Sequence, residues 1–221
     1  MIRGIANLPV TAAEPVPSML TFDDIHVLLS AHPAEVLNSE GATRAAVAMV
    51  LRTAGTDLEV LFIERALHDG DPWSGDLGFP GGKVELIDAD ERSAAERETG
   101  EELGFDLSWA RFLGRLADIV GAHLPVRVSC FVYGISAPPR FSPGDEVRSL
   151  FWIPLALLQD PERHGYSPVR FAGDELNRPA IRLLEPGRPV LWGITYRLVM
   201  QFLQIIMKTG LPPFPEVPPV T

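Results

Sequence analysis

The chain has 221 residues, 46% of them hydrophobic and 22% charged, and a formal net charge of −10. This is enough apolar material for one globular domain, and the charge is too acidic for a broad polyanion-binding face, which argues against nucleic acid as a partner. An anionic substrate would have to be attracted locally, and bound cations are the first candidate.

Residues 1–20 are rich in Pro and Ala and read as a loose arm. Pro9, Pro15 and Pro17 interrupt any apolar run, so no secretory leader is expected. Thr21 or Asp23 is placed to cap a short helix carrying Ile25, Val27, Leu28 and Leu29. Ala42–Leu51 and Leu58–Ile63 are β-like runs joined by a turn at Thr53–Thr56, which together predict a hairpin. From His68 to Gly82 the chain is dense in Gly, Pro and Asp around Trp73, as in a long functional loop. Phe79 and Pro80 there are expected to fix a strand carrying Gly81 and Gly82.

A helix is predicted from about Asp90 to Leu103. Asp88 with Glu91, or Asp90 itself, is its cap, and Gly104 is its stop. Gly100 is odd inside it, unless another backbone passes close by. Further strands are expected at Phe112–Val120, Val126–Ile135, Val147–Ile153, Val169–Ala172 and Ala180–Leu184. The single cysteine, Cys130, lies in an apolar run and reads as a core residue. The five histidines show no ligand spacing.

The last strong element is a helix from about Trp192 to Met207, apolar on most of its surface, which would pack on the core or on a second copy in a homodimer. Leu191–Met207 carries Arg197 and Gln201 and falls short of the roughly 20 residues that span a bilayer. A soluble, cytoplasmic protein without a membrane partner is expected, with one domain at 21–208 and a Pro-rich tail at 209–221. Strands alternating with two or three helices give an α/β domain with a partly antiparallel sheet.

The informative segment is Gly81–Phe105. In a helix, positions i, i+3 and i+4 share a face, and Glu98, Glu101 and Glu102 have that spacing. Three neighbouring carboxylates repel one another unless a divalent cation lies among them. Magnesium suits such a group, because it accepts a few carboxylates, keeps several waters and is completed by substrate phosphates.

The segment resembles the Nudix box, G-x5-E-x7-R-E-U-x-E-E-x-G-U, where U is a bulky apolar residue. Gly82 supplies the first glycine, and Arg97, Glu98, Glu101, Glu102, Gly104 and Phe105 match the second half in order. Asp88 stands at the first glutamate, with eight residues rather than seven between it and Arg97, and Thr99 stands at the first U. The aspartate and the extra residue resemble the coenzyme A pyrophosphatase branch. So do Leu61–Arg65, Gly75–Gly82 (GDLGFPGG) and Leu191–Leu198 (LWGITYRL). Ala66 occupies the place of a serine in that branch's upstream signature, and its arginine is missing.

The resemblance implies an α/β (α+β) fold, a Nudix-type α/β/α sandwich with a mixed sheet. It implies an enzyme that cleaves a pyrophosphate bond with water activated by Mg2+, or by Mn2+ in its place. The substrate would be coenzyme A or a derivative. Nucleotide sugars, ADP-ribose or dinucleotides are the alternative, and a non-catalytic nucleotide-binding module is a third reading. Glu98 and Glu102 are then the main metal ligands, Glu101 shares a second ion or its waters, and the Gly82 carbonyl completes the site. Arg97 would hold a glutamate in its rotamer. The proton of the attacking water would go to Glu102, to Glu101, or to a loop glutamate such as Glu146. Asp88 reads as a helix cap or as a partner of Arg97. Arg65, Trp73, Phe79 and Glu85 are the candidates for contact with the substrate.

Overall fold

The computed structural model describes residues 20–38, 41–55, 57–68, 73–122, 124–136 and 140–207. The expected arm (except Leu20) and the tail at 209–221 lie outside them. Thr21 caps helix α1 (Phe22–Ala31) through a capping box with Asp24. The predicted hairpin forms from β1 (Thr43–Ala54) and β2 (Asp57–Arg65), both longer than the expected runs, with the turn centred on Gly55. The expected long loop contains two short strands, β3 (Leu77–Gly78) and β4 (Gly81–Lys83). Helix α2 (Glu91–Leu103) follows, then β5 (Arg111–Val120), β6 (Val126–Ile135), β7 (Val147–Pro154) and a short helix α3 (Leu155–Gln159) that the sequence reading lacked. A hairpin of β8 (His164–Phe171) and β9 (Asp174–Ile181) leads through β10 (Leu191–Trp192) into α4 (Gly193–Ile206).

The main sheet runs β3-β2-β1-β6-β5, with β4 added to β1 and β7 to β2. The β1–β6 pair is parallel and the other pairs are antiparallel, so the sheet is mixed, as expected. Alternation along β1 sends Ala46, Ala48 and Val50 to one face, where they meet Ala94, Ala95 and Leu103 of α2. Met49 and Leu51 go to the other face, with Ile25 and Leu29 of α1 and Leu198, Val199 and Phe202 of α4. Helices therefore cover both faces, giving the α/β/α sandwich. The apolar side of α4 that suggested a second copy packs within this chain, and Cys130 is buried as expected. No helix among the described residues is long and apolar enough to cross a membrane.

Two strand expectations need correction. The runs expected at 169–172 and 180–184 form one hairpin over 164–181, with Ala172 in its turn at φ 51°. The observed strands begin earlier than expected, β8 at His164 and β9 at Asp174, in a separate three-stranded sheet of which β8 is an edge. The expected close approach at Gly100 is also absent: a Cβ there would meet open space, and nothing in the structure explains the glycine.

Buried charges fasten the sheet from within. Glu64 of β2 is wholly buried and accepts hydrogen bonds from Arg148 (3.0 Å), Ser149 (2.9 Å) and Arg188 (2.6 Å). Asp118 accepts from Ser129 (2.8 Å) and from the Leu37 amide (3.1 Å). Such carboxylates persist only when paired and hydrogen-bonded, and removing one partner of a buried pair costs about 3–5 kcal/mol.

Candidate active site

Helix α2 begins at Asp90, whose side chain accepts from the Ser93 amide while the Ser93 hydroxyl accepts from the Asp90 amide. Of the two expected caps, Asp90 is therefore the one used, and Asp88 is left for Arg97. The Arg97 guanidinium donates to both Asp88 oxygens (2.9 and 3.1 Å) and to the Lys83 carbonyl (3.0 Å). It also pairs with Glu98 and Glu101, each at 3.0 Å. Arg97 thus ties the strand-to-helix turn to the carboxylate face, and its bonds to Asp88 hold that carboxyl below its ordinary range.

The three glutamates share a side of α2 but differ in setting. Glu102 is 4% exposed and accepts from the Gly81 amide at 2.9 Å. The Glu98 side chain is 17% exposed and its carboxylate rests on the bare Cα of Gly82, where a Cβ would lie 2.5–2.6 Å from it. Glu101 is 61% exposed and held at Arg97. Among the described residues, no three His, Cys, Asp or Glu side chains are gathered as a ready-made ion cage. The glycine strand β4 brings Glu98 and Glu102 together, with Glu101 outside them.

Glu146 joins this pair from another element. Its loop docks on the end of α2, where the Ser142 and Gly144 amides donate to the Leu103 and Glu102 carbonyls. The Ala66 amide donates to the Glu146 carbonyl at 2.8 Å. The negative charge of Glu146 acts on both Glu98 and Glu102. Burial pushes the Glu102 carboxyl up to about 7, and Glu98 and Glu146 add to the rise against the Gly81 amide and Arg65. Burial likewise raises Glu98. Buried carboxylates that repel one another beside a glycine with no side chain fit a small divalent cation, whose charge would remove the repulsion.

A pH effect follows. In chelator, folded Glu102 keeps a proton that the unfolded chain has already lost, so stability falls as pH rises from about 4.5 to about 7. Urea midpoints across that window should decline in the native protein and decline less in Glu102→Gln. Parallel slopes would mean that Glu102 carries no buried charge.

Behind β4 lies a cavity of about 1000 Å³. Among the described residues its lining includes Arg65, Lys83, Arg178 and Arg197 and one acid, Asp76, so the described lining is cationic in a chain of net charge −10. Trp73, Phe171 and Trp192 supply aromatic surface. The GDLGFPGG and LWGIT segments meet at this wall: the Trp192 indole N–H donates to Asp76 at 2.9 Å, and Gly78 lies beside Thr195. The carboxylates are not part of the lining but adjoin it, because Arg65 is 3.8 Å from Glu102 and Gly81 and Gly82 belong to both.

Arg65 therefore stands between carboxylates and cavity, where a substrate contact was expected. Trp73 lines the cavity and packs against the core. Phe79 is buried and stacked on Phe62 at 5.1 Å, forming the wall from the core side. Glu85 is exposed in the turn after β4, where its amide donates to Asp88, and it is not among the described residues that line the cavity. Lys83, two residues earlier, is. Sequence reading missed Lys83, Arg178 and Arg197. Only the alternation around Gly82 could have marked Lys83.

The NUDIX domain family matches residues 42–171. An uncharacterized protein of Schizosaccharomyces pombe is 39% identical over 111 residues, covering 47% of this chain and 34% of that protein. The human mitochondrial coenzyme A diphosphatase NUDT8 is 31% identical over 134 residues, covering 60% of this chain and 56% of that protein. The mouse peroxisomal coenzyme A diphosphatase NUDT7 is 25% identical over 140 residues, covering 61% and 58%. The chain spans between 34% and 58% of the length of these relatives. In fold it is similar to a MutT/nudix family protein from Enterococcus faecalis, at 17% identity and a TM-score of 0.50, covering 81% of this chain and 73% of that one. With the family match covering more than half of the chain, and the glycine strand and carboxylate helix falling inside it, this protein belongs to the Nudix family.

Proposed function

We propose that the protein hydrolyses the pyrophosphate bond of a nucleoside diphosphate derivative, and that coenzyme A or a derivative of it is the substrate. The observation that carries this reading is the Gly81–Gly82 strand, with Glu102 and Glu98 against it on one side and a cationic, aromatic cavity on the other. Magnesium, or manganese in its place, held by Glu98, Glu102 and the Gly82 carbonyl, would neutralise pyrophosphate oxygens and lower the pKa of the attacking water.

The chain's own residues do the rest. Arg97 fixes the turn and holds Glu98 and Glu101, so the carboxylates need no reordering when substrate arrives. The Gly81 amide sets the rotamer of Glu102. Arg65 and Lys83, next to the glycines, offer charge-assisted hydrogen bonds to the diphosphate. The water's proton goes to Glu102 or to Glu146, whose charges already act on each other. The similarity to the coenzyme A diphosphatases and the meeting of GDLGFPGG with LWGIT support coenzyme A. A nucleotide sugar, ADP-ribose or a dinucleotide is the second reading, favoured by Ala66 in the place of the signature's serine.

Incubation with coenzyme A, ADP-ribose, NADH, nucleotide sugars and dinucleoside polyphosphates, with magnesium and with EDTA, tests both. Coenzyme A should yield a phosphopantetheine and adenosine 3′,5′-bisphosphate only while metal is present. Cleavage of a sugar nucleotide with coenzyme A untouched would replace the first reading by the second. Turnover that persists in EDTA would end the metal assignment.

A further inference from the structure

Building on the diphosphate reading above, we propose that Arg197 binds an anionic group of the substrate, a carboxylate or a phosphomonoester, at the far end of the cavity floor from the scissile diphosphate. The floor is a row of paired residues. Lys83 of β4 pairs with Ala45 of β1, Ala45 with Val128 of β6, and Val128 with Ile119 of β5. Paired residues share a face of the sheet, and Lys83, Ala45 and Val128 all line the cavity. Three strand spacings of about 4.8 Å set Ile119 roughly 14 Å from Lys83 and the glycine strand.

Arg197 stands at that far edge. It lines the cavity from α4 and donates to the carbonyl of Val120, the residue after Ile119, at 2.8 Å. That bond locates the guanidinium on β5 and uses one of its five N–H donors, so the rest of the fork can meet a ligand. Part of the side chain stays in water, yet packing holds the guanidinium below its ordinary range by desolvation. Among the described residues no carboxylate offsets that. A partly desolvated cation without a counter-charge gains from an anion that arrives with the ligand. The strands between, β1 and β6, present Ala45, Val47, Val126 and Val128, a small apolar surface that suits a neutral stretch of substrate. A diphosphate at the glycine strand, a neutral stretch over this floor and a second negative group beyond it match the wall in order.

Titration calorimetry in EDTA, where no metal-dependent cleavage consumes the ligand, tests this with two pairs that each differ by one anion. The carboxypropyl and butyl thioethers of coenzyme A place it at the tip of the neutral arm, and adenosine 3′,5′-bisphosphate and AMP place it on the nucleoside. In one pair the native protein should bind the more anionic member about tenfold tighter, the size expected of one charge-assisted contact. Arg197→Gln should bring that ratio close to one with the less anionic member bound as before, and Arg197→Lys should restore part of it. The pair that responds names the source of the anion. Ratios unchanged in both variants, an equal loss for both members of a pair, or no binding of any of the four ligands would overturn the assignment. Binding needs no turnover, so the two readings fail separately. An Arg197-dependent ratio in a protein that cleaves no diphosphate sinks the hydrolase reading alone, whereas cleavage with ratios indifferent to Arg197 sinks this assignment alone.

Discussion

Glu102→Gln is expected to lower turnover by about a thousandfold, within the range for losing a positioned acid–base group, while the protein stays folded. The substitution keeps the shape and an oxygen that can accept from the Gly81 amide, so the contact between α2 and β4 survives. The charge is lost, and that charge is unfavourable in the metal-free fold because burial raises the carboxyl to about 7. The variant should therefore melt no lower than the native protein in EDTA at about pH 8 and gain less from added magnesium. Steady-state rates and melting curves on one preparation check both halves. Near-normal rates would remove Glu102 from the mechanism, whether as ligand or as base.

Gly81→Ala is expected to be the most damaging single methyl in the site. Gly81 has φ 147°, where a side chain is strained, and an added Cβ would collide with the Ala46 carbonyl oxygen and lie 2.6 Å from the Val47 Cα. Backbone cannot yield as a side chain can. Strain and overpacking together should cost about 3 kcal/mol, roughly 10 °C in melting temperature for a domain of this size. Gly82→Ala is the informative contrast, because its Cβ would meet the movable end of Glu98. It should melt close to native yet lose activity, since Glu98 is pushed off the strand. Thermal melts of both variants decide: a Gly81→Ala midpoint equal to that of Gly82→Ala would show that β4 relaxes away from β1.

Several features were legible in the chain because they depend on neighbours a few residues apart. The α2 cap, its stop at Gly104 with φ 62°, the Thr21 capping box and the β1–β2 hairpin all follow from local hydrogen bonds and backbone sterics. So does the shared side of Glu98, Glu101 and Glu102, which is set by the helical repeat. Where a local rule had two solutions, as with Asp88 and Asp90, the structure used both residues and gave them different partners. The β8–β9 hairpin was misplaced because the pairing of His164 with Ile181 and of Gly165 with Ala180 is set across the hairpin and not by local composition.

The order of exposure among the three glutamates, the arrival of Glu146 and the cationic lining all depend on contacts between distant segments. Glu64 meets Arg188 across 124 positions, and Trp192 meets Asp76 across 116. No periodicity can announce such pairs, because the chain brings them together only when both faces of the sheet are covered. By itself the sequence determined the helix that carries the acids, since spacing and capping act within a turn or two, and its resemblance to the Nudix box implied the family and the sandwich. Tertiary packing alone decided which acids are buried beside glycine and which cations face the cavity, because burial and long-range charge exist only once the layers have closed.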